Sequence, residues 1–93
     1  MKRTYEILYI INPAVNENEV VEKLNSVITA NGGDIKNSDV WGLKRLAYDV
    51  RGIEEGVFVL VVFDAESVCV KEIDRVLRIN ENILRHMVTE KER

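Results

Sequence analysis

The chain is 93 residues long, 46% apolar and 31% charged, with a formal net charge of −3. These values fit one small folded domain over residues 1–93; they exclude a disordered polyelectrolyte and offer no general attraction to phosphate backbones. A lone cysteine, Cys69, rules out an internal disulfide and suits a reducing cytoplasm, and the longest uncharged apolar run, Val57 to Phe63, falls far short of the ~20 residues that cross a bilayer.

Lys2 and Arg3 open the chain, but Glu6 interrupts the apolar run after them and no small-residue cleavage site appears, so no signal peptide is expected. Thr4 to Ile11 is rich in β-branched and aromatic residues and reads as a strand. Its alternation puts Tyr5, Ile7, Tyr9 and Ile11 on one side, and Thr4, Glu6, Leu8 and Ile10 on the other. Asn12-Pro13 breaks it, because proline removes a ladder donor.

Asn16 to Asn31 has the spacing of a helix. Asn16 is a good N-cap and Glu19 can complete a capping box. Val20, Leu24, Val27 and Ile28 form one apolar stripe, and Gly32-Gly33 supplies a left-handed terminator. Ile35 to Val50 is extended but irregular, with Gly42 permitting a bulge. A turn is predicted over Gly52 to Gly56, with hairpin arms meeting near Ile53-Glu54-Glu55. Val57 to Phe63 comes next as the clearest strand. Ser67 to Leu77 is a second helix, capped by Ser67, with Val70, Ile73, Val76 and Leu77 inward. Asn80 to Asn82 is a polar turn, Ile83 to Thr89 a last strand, and the remaining residues a charged tail.

Strand, helix, strand, strand, helix, strand makes an α+β chain. Two right-handed βαβ units joined in this way give a ferredoxin-like βαββαβ sandwich: a four-stranded antiparallel sheet with both helices on one face. The other face is bare. If the tyrosine side of the first strand meets the helices, Leu8, Ile10, Phe58, Leu60 and Val62 are left on that open face. Proteins that stay monomeric seldom leave such a patch in water, so a partner, a second copy or neighbouring polar side chains must cover it. Base stacking, as in the RNA-recognition motif of the same topology, is disfavoured. Where that motif has a basic residue, glycine and spaced aromatics, this chain has Glu55-Gly56-Val57-Phe58-Val59.

No active site is legible. His86 stands between Arg85 and Met87 without a second histidine or cysteine nearby, and Cys69 in the first turn of a helix reads as a buried, inert thiol. The acidic residues lack metal-loop spacing, and Asn31-Gly32-Gly33-Asp34 ends a helix where a phosphate loop would begin one. No enzyme activity, metal, cofactor or small-molecule substrate is expected. Charge is uneven. Residues 53–74 hold six acids and one base, residues 75–93 five bases and three acids, and residues 41–52 three bases and one acid.

Gly42-Leu43-Lys44-Arg45-Leu46-Ala47-Tyr48 resembles the Gly-x-Lys/Arg-Arg-Leu-Ala-Tyr segment of the bacterial small-subunit ribosomal protein S-six (S6) family. Tyr5-Glu6, Asn12-Pro13, Trp41, Gly56, Leu77-Arg78-Ile79 and Arg85-His86-Met87-Val88 fall in register with it across nearly the whole chain. Asp49 departs from the family, which usually has proline after the tyrosine. The resemblance implies a structural protein of the bacterial cytoplasmic ribosome. Such a protein binds the central domain of small-subunit rRNA, on the platform, jointly with ribosomal protein S-eighteen (S18). Lys2, Arg3, Lys44, Arg45, Arg51, Arg85, His86 and Lys91 are then the expected RNA contacts, with Arg93 able to join them. Leu8, Ile10, Trp41, Leu46, Tyr48, Phe58 and Leu60 are the expected protein-partner contacts. The rival reading of the same topology is a homodimeric small-molecule-binding regulatory domain. An acylphosphatase-like enzyme is disfavoured, because Asn12-Pro13-Ala14-Val15 lacks an anion-cradling loop.

Overall fold

The computed structural model describes residues 1–91, so Arg93 lies outside the described residues. The elements are β1 (Arg3–Ile11), α1 (Glu17–Ala30), β2 (Asp34–Val50), β3 (Ile53–Ala65), α2 (Ser67–Ile79) and β4 (Ile83–Glu90). Every strand pair is antiparallel and the sheet order is β2-β3-β1-β4, which is the ferredoxin-like arrangement.

Alternation decides the two faces. Tyr5, Ile7, Tyr9 and Ile11 of β1 are buried beneath the helices, opposite Phe63, Val61, Val59 and Val57 of β3. Val20, Leu24 and Ile28 of α1, with Cys69, Ile73 and Leu77 of α2, close this core from above. Side chains as deeply enclosed as Ile7, Phe63 and Ile73 each contribute about 1.5–3 kcal/mol by leaving water. The tyrosine side of β1 therefore faces the helices, as expected, and the other side is left open.

Local chemistry sets the ends of the elements. Asn16 Oδ1 accepts from the amides of Asn18 (3.0 Å) and Glu19 (3.3 Å), satisfying two donors that the first helical turn leaves free. Gly32, at φ +86°, provides the left-handed residue after α1. The N-cap of α2 is Glu66, not Ser67: its carbonyl receives the Cys69 and Val70 amides, and its side chain makes no cap bond.

The hairpin turn also differs from expectation. Arg51 (φ 52°) and Gly52 (φ 78°) both lie in the left-handed region between paired Val50 and Ile53, a two-residue turn whose twist suits a hairpin. β3 consequently begins at Ile53, and Glu54 and Glu55 belong to the strand. The β2–β3 hairpin outruns the sheet, since β1 stops opposite Val57. Its register slips near Ile35, at Trp41 and between Arg45 and Val50. The second slip lies at Gly42, whose φ of +99° is open to glycine. Asp49 lies in the third irregular stretch, exposed, where the family's proline would stand. Gly56 marks the root of this arm: a Cβ there would come within 2.3 Å of Ile10 Cγ2, so the strand crossing tolerates no side chain.

Candidate functional site

The open face is built in rows by the register. Thr4 lies opposite Asp64, Glu6 opposite Val62, Leu8 opposite Leu60 and Ile10 opposite Phe58. On the other flank, Leu8 pairs with Met87 and Ile10 with Arg85. The face divides along its length. At the β1 start it is polar: the Thr4 hydroxyl donates to Asp64 Oδ1 at 2.6 Å, and Lys36 Nζ sits 3.1 Å from Asp34 and 3.6 Å from Asp64. The hydrogen bond to Asp34 raises the Lys36 pKa, helped by the charge of both acids. Lys91 Nζ approaches Glu6 at 3.8 Å.

Toward the hairpin the face turns apolar. Leu8, Ile10, Phe58 and Met87 form a floor, and the hairpin arm supplies Leu46, Ala47 and Tyr48, enclosing a groove of about 290 Å³. Met87 and Tyr48 are 61% and 75% exposed, far more than isolated apolar side chains need to be. Leu60 continues the floor from the next row. Trp41 stands apart at the β2 bulge, 44% exposed, with the Lys44 ammonium 5.2 Å from its ring centroid. That cation–π contact is worth about 0.5–1 kcal/mol at an exposed site.

The structure separates the predicted cations into two groups and sets His86 apart. Lys44, Arg45 and Arg51 ride the hairpin, and Arg85 borders the groove at the same end of the sheet. Lys2, Arg3 and Lys91 lie at the opposite end, where the Lys91 amide bonds the Thr4 carbonyl. Arg3 already grips Glu90 with both carboxylate oxygens at 3.2 Å, and Arg45 approaches Glu54 at 3.7 Å. His86 belongs to neither group. It pairs with Tyr9 on the helix side, half-buried, and its Nε2 donates to Asp74 Oδ1 on α2 at 2.8 Å. Met87 escaped the sequence reading, although strand alternation from Arg85 would have put it on the open face.

Burial pushes the Cys69 thiol up, away from the reactive thiolate. Among the described residues, no group of three or more His, Cys, Asp and Glu side chains converges as a metal site. No helix of the described residues is long and apolar enough to cross a membrane.

A ferredoxin-like sheet with one face packed and the other left apolar and cation-edged defines a class: an α+β protein of the ferredoxin-like fold with one open sheet face. Comparison with known proteins makes this specific. The sequence model of the family described as ribosomal protein S6 matches residues 4–90. Small ribosomal subunit protein bS6 of Clostridium acetobutylicum is 46% identical over 87 residues, covering 90% of this chain and 92% of the relative. The bS6 protein of Desulforamulus reducens is 45% identical over 89 residues, covering 92% and 94%. The crystal structure of 30S ribosomal protein S6 from Thermotoga maritima superposes with a TM-score of 0.90 at 25% identity, covering 98% of this chain and 89% of that one. The chain belongs to the ribosomal protein S6 family, and its role is structural, not enzymatic.

Proposed function

We propose that this chain is a constituent of the small subunit of a bacterial cytoplasmic ribosome, binding the central domain of its rRNA jointly with ribosomal protein S18. The single observation that carries the reading is the bare half of the sheet: an apolar groove beside a cationic hairpin, on one end of one face. The groove suits a protein and the hairpin suits phosphate. Lys44 and Arg51 have no acidic partner among the described residues, so their charge is available to a backbone oxygen. Such contacts fix position and register without reading sequence. Lys2 stands ready at the far end, whereas Arg3, Arg45 and Lys91 must first exchange an acid for a phosphate. His86 supports the fold and contributes least to RNA.

A net charge of −3 limits what the chain attracts alone, so a basic partner supplies much of the field. A central-domain rRNA fragment titrated with this chain over a range of salt, with and without S18, tests this. Weak binding by the chain alone, and tight binding with a steeper fall in log K against log salt when S18 is present, is the expected result. Tight, steeply salt-dependent binding by the isolated chain overturns it.

A further inference from the structure

Arg85 is a cation in the wrong company for an RNA contact. It shares its row with Ile10 and Phe58 and lines the groove with Leu8, Leu46 and Met87. Three other cations beside the sheet have companions among the described residues. Lys36 is held by Asp34 and Asp64, Lys91 approaches Glu6, and Lys44 lies over Trp41. Arg85 has no carboxylate within ion-pair distance among the described residues: Asp34, Asp64 and Glu6 lie at the far end of the face, and Asp39, opposite Leu60, is on β2 with two strands between it and β4. Its direction is fixed from beneath. His86, the next residue of β4, is tied to Asp74 of α2 on the opposite face, which aims Arg85 and Met87 into the groove.

A chain that covers the groove to bury Leu8, Ile10 and Phe58 also covers Arg85. Enclosing an unpaired guanidinium is strongly unfavourable, so the occupant must bring its own acceptor. A phosphodiester supplies the acceptor but cannot cover the apolar floor. A peptide with an acidic residue between apolar ones does both, and the planar fork of arginine matches a carboxylate with two parallel bonds.

We infer that Arg85 is the specificity-determining contact for the protein partner: it receives an Asp or Glu carboxylate of an apolar segment seated in the groove. This rests on the proposed pairing with S18 and assigns Arg85 to that protein, not to rRNA. The test is a titration of labelled S18 with the wild-type chain, Arg85→Ala, Arg85→Lys and, as a surface control on α2, Lys71→Ala, and then of the same variants against the rRNA fragment alone. Arg85→Ala is expected to weaken S18 binding about tenfold or more, in the range of a central interface arginine. Arg85→Lys should restore only part of the loss, because it returns the charge without the fork, and Lys71→Ala should match wild type. Arg85→Ala binding S18 as tightly as wild type, or weakening only the rRNA titration, overturns the inference. Failure of the wild-type chain to bind S18 overturns the pairing on which it rests, and is told apart by that first titration.

Discussion

Asp74 shows how much one side chain decides. It accepts from His86 Nε2 on β4 and pairs with Arg78 one turn along its own helix, so it joins α2 to the edge of the sheet. The hydrogen bond from His86 chiefly lowers its pKa; burial opposes this, and Arg78 adds to the lowering. A carboxylate whose folded pKa is depressed adds stability above its unfolded pKa and loses it as the pH falls through the folded value. Asp74→Asn should therefore be less stable than wild type near neutrality, with the gap closing in acid. Urea unfolding of both proteins from about pH 7 to about pH 3 measures it. A gap that stays constant across that range would show that geometry, not charge, makes the latch. The partners were not legible in the sequence, since His86 and Asp74 meet only when β4 lies beside β1 under α2.

The elements were largely legible, and their misreadings have a common cause. α1 was readable because its cap, stripe and terminator all act within a few residues of one another. Asn16→Ala should cost about 1 kcal/mol by freeing the Asn18 and Glu19 amides, as read from the midpoint of chemical unfolding. A midpoint that does not move would mean water caps the helix equally well. The β2–β3 arm was harder. Beyond Gly56 its strands pair only with each other and both faces meet water, so Glu54 and Glu55 carry no inward-outward alternation. A strand with two wet faces looks like a loop. Only the left-handed pair Arg51-Gly52 marks the turn, and arginine is an unusual occupant of that conformation. α2 does begin at Ser67, as read, but its cap was misassigned: Ser67 has the right chemistry for a cap, yet the capping position falls on Glu66, one residue earlier.

At the scale of the whole molecule, two layers suffice for the core, leaving the second face of the sheet to be used. Phe58 is the sharpest probe of that use, because it points away from the helices while its neighbours Val57 and Val59 are buried. Phe58→Asp should remain folded, with cooperative thermal unfolding, yet lose S18 binding by about tenfold or more because a charge then sits in the groove floor. Unaltered binding of S18 by a folded Phe58→Asp protein would place the partner elsewhere. The long dimension of 40 Å, against 24 and 19 Å, fits the sheet's extension by the hairpin arm, which carries Lys44, Arg45 and Arg51, the cations proposed to meet RNA.

The order of elements, the split of each strand into two sides and the family likeness were determined by the sequence alone, since each is written in residues close together along the chain. The tertiary structure decided which cations are free. Arg3 finds Glu90 across 87 positions, Lys36 finds Asp64 and Lys91 finds Glu6, all through strand pairing that no local pattern records. It also decided that Arg85 and His86, neighbours in sequence, work on opposite faces, because alternation sorts side chains into two sets while only the packed helices determine which set meets water.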